Sequence, residues 1–329
     1  MNKSCSAHMA MLVFTENWKS ELESRYRNHK RYTKPFIYFV ATENEFQSIR
    51  EQLEEWVSAL PEDLRKERAI KNLRSEESFR QTYHELAVGA LLKNSGLKTE
   101  YDKEFNGKTP DWFISSNDGS QDFIVEVFTE NISQSAASWD TRLSDLQGRL
   151  SDLPFDFALC VDVPFDWNPV SLDSRRSKTI AEGVRAWLAN NNPSVGEELH
   201  LDEFSFEVIL RDRGCSKVKL MGFARPFWVN PRPLKENIAE KVHKYKVLVT
   251  ANRIPFVVAV VMEFRTGYGA DDLENILFGQ DGLFKNESLL SGVILASRSN
   301  TNKWEMKCYL SLDAQNPLPA NLFNSGLCT

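Results

Sequence analysis

Long hydrophobic runs are missing from this sequence. The most apolar stretch, IPFVVAVVM (254–262), falls far short of the ~20 residues a helix needs to span a bilayer, so no membrane partner is expected. MAMLVF (9–14) is too brief for a secretory signal and gives way at once to polar residues. Cysteine is sparse: Cys5, Cys160, Cys215, Cys308 and Cys328 are odd in number and form no CxxC pair. That argues against a disulfide framework or a cysteine zinc site and for reduced thiols in a cytoplasmic protein. The five histidines show neither HxH nor HExxH spacing. There is no GxGxxG, no P-loop and no GxSxG, which removes support for nucleotide-dependent and serine-hydrolase chemistry. An excess of positive charge is also absent. The formal net charge of −6 gives no global sign of nucleic-acid binding, although a local field can differ from the net charge.

What is present is a mixture of helical and strand patterns in 329 residues, enough for one large domain or two medium ones. Residues 1–75 read as a polar, helical extension. Within it Phe46, Ile49, Leu53, Trp56, Val57 and Leu60 form an amphipathic stripe that Pro61 ends. RYRNHKRY (25–32) interleaves basic residues with Tyr26 and Tyr32, a mixture able to grip phosphates and stack bases or simply to form a solvated face. From residue 76 onward, a helix over SFRQTYHELAVGALLKNSG ends at Gly96, a C′ cap. Strands follow at LKTEYDKEF and in a hairpin spanning 109–128. FSFEVILRDRGCSKVKLMGFARP (204–226) reads as a second hairpin turning near Arg213-Gly214. A helix over PLKENIAEKVHKYKVLVTANR turns Ile238, Val242, Tyr245 and Val249 inward, and the buried strand IPFVVAVVM comes next. The predicted class is α/β or α+β, with a mixed central sheet flanked by helices and a C-terminal β extension.

The hairpin TPDWFISSNDGSQDFIVEVF (109–128) has an awkward feature. Asp118-Gly119 suits a two-residue type I′ turn, so opposed residue numbers sum to 237 and Asp111 faces Glu126. Like charges opposed at ~5 Å are destabilising. A bound cation, a protonated carboxyl, or a one-residue slip sending one carboxylate to the other face would each relieve them. Glu85, on the preceding helix, shares a face with Val88, Gly89 and Leu92 and needs a partner of its own. An ordinary salt bridge would supply one. So would a metal site, because hard cations such as Mg²⁺ or Mn²⁺ take oxygen ligands and keep several waters.

A helix carrying Glu85, then Pro110-Asp111, then the strand IVEVF resembles the PD-(D/E)xK, restriction-endonuclease-like nuclease superfamily. The resemblance covers about 75–262. It implies a restriction-endonuclease-like sandwich within a domain at 76–329 and Mg²⁺- or Mn²⁺-dependent hydrolysis of nucleic acid, DNA ahead of RNA. Asp111, Glu126 and Glu85 would be the metal ligands, with a homodimer left open. The departure is Phe128, where the family places a lysine that positions the attacking water. Some members move that lysine to a following helix. Here Lys241 ranks first, at the edge of the apolar stripe, and Lys244 second; alternatively, both belong to a cationic helix edge. Two other readings stand beside catalysis: an inactive nuclease-fold protein that binds nucleic acid or a partner, and an interaction protein whose acidic pair is structural.

Overall fold

The computed structural model describes residues 12–29, 34–115, 122–129, 143, 145–162, 172–211, 214, 216–224, 232–262, 270–299, 303–319 and 322. In chain order the elements are α1 (Glu16–Tyr26), α2 (Phe36–Thr42), α3 (Gln47–Ser58), α4 (Leu64–Leu73), α5 (Phe79–Asn94), β1 (Lys98–Tyr101), β2 (Trp112–Ser115) and β3 (Phe123–Thr129). Then come β4 (Phe157–Asp162), α6 (Ser174–Asn191), β5 (Glu198–Leu201), β6 (Phe204–Arg211), β7 (Lys219–Ala224) and α7 (Arg232–Asn252). The chain closes with β8 (Phe256–Met262), α8 (Ala270–Phe278), α9 (Leu283–Asn286), β9 (Leu290–Arg298) and β10 (Trp304–Leu310). The protein is mixed α/β. No helix among the described residues is long and apolar enough to cross a membrane.

The chain divides into two compact units. One comprises Met1–Arg27, Pro35–Glu130 and Val229–Thr329; the other comprises Asn28–Lys34 and Asn131–Trp228. None of the four boundaries coincides with residue 75, where the sequence reading ended a helical extension.

The first unit is built on a six-stranded sheet in the order β1-β2-β3-β8-β9-β10. The outer pairs are antiparallel, while β3, β8 and β9 run parallel. All seven residues of β8 are buried, which is what a parallel strand covered on both faces demands. One face of the sheet presents Ile114, Val125, Val127, Val257 and Ala259 to α5 and the N-terminal helices. The other presents Phe113, Ile124, Val258 and Val260 to the predicted stripe of α7, with Ile238, Val242, Tyr245 and Val249 all buried. Helix α5 is enclosed almost all round from Thr82 to Gly89. At Gly89 a Cβ would meet the Trp112 ring at 1.9 Å, so only glycine lets the helix approach this closely. Gly96 takes φ 84 as the expected cap. Tyr26 is buried and packs edge-on to Tyr38 at 5.7 Å, so it is not free to stack on a base; positions 30–33 of the basic run lie outside the described residues.

The second unit holds a four-stranded sheet in the order β5-β6-β4-β7. This corrects the expected hairpin at 204–226. β6 and β7 are not neighbours, because β4 lies between them, antiparallel to β6 and parallel to β7. Phe157, Ala158, Leu159 and Val161 of β4 are all buried, and an apolar strand of this kind needs a partner on each side. The hairpin that does form joins β5 to β6, with Leu201 opposite Phe204 and Asp202 at φ 53 in the two-residue turn.

Candidate functional site

Side chains alternate along β3, so Ile124, Glu126 and Phe128 point toward α7. Glu126 is 1 % exposed, lying opposite Val258 of the neighbouring parallel strand. A carboxylate buried this deeply costs several kcal/mol unless it is paired and hydrogen-bonded. Helix α7 meets that need with three donors, Lys241 and, about a turn later, Lys244 and Tyr245. Lys241 Nζ lies 2.9 Å and Lys244 Nζ 3.3 Å from Glu126 Oε2. The Tyr245 hydroxyl makes a short hydrogen bond to Oε1 and stands 3.1 Å from the Thr109 carbonyl oxygen. Burial alone lowers the Lys241 pKa. Attraction to Glu126 and the hydrogen bond with it, aided by Asp111 and Glu85, outweigh that and leave it above the ordinary lysine value.

β2 pairs with β3 as Trp112↔Val125, Phe113↔Ile124 and Ile114↔Phe123, each pair summing to 237 as expected. The Asp118-Gly119 turn itself lies outside the described residues. Continuing the register by one pair sets Asp111 opposite Glu126, and by two sets Pro110 opposite Val127. Proline has no N–H to extend the ladder. The Val127 N–H donates instead to Asp111 Oδ2 at 2.6 Å, anchoring that carboxylate where the strands part. Asp111 is half-buried as a residue, its carboxyl being the enclosed end. Burial, then the charges of Glu126 and Glu85, push its pKa well above the usual carboxylate range, against the Val127 hydrogen bond and the Lys241 charge.

Glu85 comes from the other side of the sheet. Its helix packs on the face of the sheet opposite α7, because Leu86, Val88 and Leu92 belong to the core with Trp112 and Val125. The carboxylate accepts hydrogen bonds from Gln81 Nε2 and from the Tyr101 hydroxyl, both at 2.8 Å. The Trp112 indole N–H, seated over Gly89, donates to the Glu85 carbonyl oxygen at 2.8 Å and fixes this turn of helix. Burial is the chief cause raising the Glu85 pKa; Asp102 and Glu126 add to it. The expected alternative, a salt bridge, is absent: among the described residues no Lys or Arg pairs with Glu85 or with Asp111.

Sequence reasoning named Glu85, Asp111, Glu126, Lys241 and Lys244, and missed Tyr245, Gln81 and Tyr101. The sequence puts Tyr245 in the apolar stripe and on the side of the helix that carries Lys241, four residues earlier, but it gives no sign of the hydroxyl's role. Beside the site a cavity of ≈ 300 Å³ is lined by Phe128, Asn237, Glu240, Lys241 and Lys244.

The donor set suits a hard divalent cation in its chemistry. Two carboxylates, Asp111 and Glu85, have raised pKa values and form no ion pair among the described residues, although the Lys241 charge acts on Asp111; a cation beside them would relieve their repulsion. The ligand geometry is not preset, since among the described residues no three His, Cys, Asp or Glu side chains are grouped to hold a metal ion. No family model, curated protein or solved structure matches this chain.

Proposed function

We propose that this site hydrolyses phosphodiester bonds in nucleic acid, DNA ahead of RNA, as a member of the PD-(D/E)xK superfamily whose lysine has moved to a helix. The observation that carries the reading is Lys241 Nζ at 2.9 Å from the buried Glu126, delivered from α7 while Phe128 occupies the usual lysine position. Asp111 and Glu126, with Glu85, would hold Mg²⁺ or Mn²⁺. Such an ion, when bound, polarises phosphoryl oxygens and lowers the pKa of a bound water. Lys244, 48 % exposed, stands where it draws an incoming phosphodiester toward the site. Lys241 orients the water and offsets the negative charge that grows on the phosphate oxygens as the new P–O bond forms and the old one breaks. Tyr245 fixes Glu126 so that the ammonium groups meet one oxygen and leave the other to the hydroxyl.

The test is cleavage of single- and double-stranded DNA and RNA with Mg²⁺ or Mn²⁺, beside Asp111→Ala. Cleavage that disappears in the variant supports the reading. Absence of cleavage on every substrate, together with no carboxylate-dependent metal binding by calorimetry, overturns it. A second reading, a non-cleaving nucleic-acid binder of the same superfamily, is favoured by one observation: both Glu126 oxygens already have protein donors. It expects nucleic-acid binding that Asp111→Ala leaves intact, with no cleavage under any metal.

A further inference from the structure

Phe128 is half-buried on the active face of β3, two residues beyond Glu126, and its ring forms one wall of the ≈ 300 Å³ cavity. The rest of the lining is a single stripe of α7. Asn237, Glu240, Lys241 and Lys244 stand at i, i+3, i+4 and i+7, the spacing that brings side chains onto one helix face. The cavity therefore combines an aromatic face, an amide with both donor and acceptor, a carboxylate acceptor and two cations. One of those cations, Lys241, also touches the buried carboxylate of the candidate centre.

We infer that this cavity receives an unpaired nucleobase, stacked on Phe128, from the nucleotide adjoining the phosphate held by Lys241 and Lys244. The inference rests on the nucleic-acid reading above and narrows it to single-stranded or frayed strands. In a duplex each base has both faces covered by its neighbours and its edge taken by its partner. Only an unpaired base can offer a face to Phe128 and an edge to Asn237 and Glu240. Aromatic stacking of this kind is tolerant of sequence, because every base has a π-face. The alternative source of the same chemistry is a free mononucleotide, which the cavity volume also admits.

Binding is measured by fluorescence anisotropy in EDTA, so that no cleavage is required. The probes are a fluorescein-labelled single-stranded oligodeoxynucleotide, the blunt duplex made from it, and a deoxynucleoside monophosphate as competitor. The expected result is single-strand binding about tenfold or more tighter than duplex binding, with Phe128→Leu weakening the single strand about tenfold and leaving the duplex unchanged. Leucine keeps the apolar packing against the α7 face while removing the ring; circular dichroism checks its fold, and Phe128→Trp should bind at least as well as the wild type. Equal affinity for strand and duplex, or a Phe128→Leu protein that binds the strand like wild type, overturns the inference. So does a monophosphate that competes as well as the strand. Failure of the catalytic reading looks different: no nucleic acid is cleaved with Mg²⁺ or Mn²⁺, yet ring-dependent single-strand binding persists. Cleavage of duplex and strand at equal rates, unchanged in Phe128→Leu, sinks this inference and leaves the catalytic reading standing.

Discussion

Glu54 and Glu126 are both buried in the first unit, and their partners differ in kind. Glu54, 8 % exposed on α3, accepts the backbone N–H groups of Leu12 at 2.7 Å, Val13 at 3.0 Å and Phe14 at 2.9 Å. Arg74 completes the clamp by donating to the Leu12 and Val13 carbonyl oxygens, both at 2.9 Å. Glu126 has no clamp of that sort. Its donors are two ammonium groups on flexible stems, 26 % and 48 % exposed, and one phenol. Peptide N–H groups are fixed by the chain and cannot leave Glu54 for another anion. Lysines retain the freedom to turn toward a phosphate. A buried charge satisfied by backbone is a fastening; one satisfied by mobile cations is equipped to exchange partners.

The sharpest way to break the contrast is Glu54→Ala. It strands three backbone donors at once, and an unsatisfied buried group costs about 1–3 kcal/mol. The expected loss is about 3 kcal/mol or more in urea unfolding followed by tryptophan fluorescence, and a loss below ~1 kcal/mol would show the clamp to be ornamental. Lys241→Ala should act on chemistry instead. On the proposed reading cleavage falls by ~100-fold or more, while stability changes less than in Glu54→Ala because Lys244 still faces Oε2. Near-normal turnover in that variant would move the role to Lys244. Tyr245→Phe removes the hydroxyl from Oε1 and should cost ~1–2 kcal/mol in the same unfolding assay.

Glu85 supplies a pH-dependent test. Burial raises its pKa above the ordinary glutamate value of 4.5, so folding disfavours the ionised form. Below that value both folded and unfolded chains are protonated there and the penalty vanishes. It builds as pH rises through the folded value and is full above it. In metal-free buffer Glu85→Gln should therefore melt at or above the wild-type temperature near neutral pH, with the gap closing as pH falls toward 4.5. A gap that widens on acidification would contradict the assignment. Lys244→Ala should have the smallest effect on stability, under ~1 kcal/mol, because its ammonium is half exposed and Lys241 still faces Glu126 Oε2. Its signature is instead nucleic-acid affinity weakened uniformly across sequences, with the salt slope reduced by about 1.

The centre of the fold was readable because its cues are local. Alternation and the Asp-Gly pair set the β2–β3 register, and the helical wheel put Lys241 on the sheet-facing edge of α7, where Glu126 lies. Partner choice between distant strands carries no such cue. β6 and β7 look like a hairpin until β4 claims the place between them. The second unit was invisible for a related reason, since no Gly/Ser linker marks where the chain leaves the first sheet after β3 and returns at α7. Glu85 was correctly singled out as needing a partner, but a wheel cannot say which face of the sheet the helix will cover. Tyr245 shows the same limit at the scale of one side chain. Its ring is buried as the stripe requires, and only the tip of the hydroxyl belongs to the site.

The break in the chain between β3 and α7 bears on how fast the protein folds. Lys241 and Glu126 are 115 residues apart, and most of that interval is Asn131–Trp228, which gathers around a core of its own containing Leu146, Phe157, Val184 and Phe206. Closing a loop costs entropy that grows with its length, about 0.6 kcal/mol for each doubling. When the intervening segment collapses first, the search that brings the lysine to the glutamate is conducted by a much shorter tether. Lesions in the inserted core should therefore slow the assembly of the Glu126–Lys241 contact, a kinetic defect arising far along the chain from either residue.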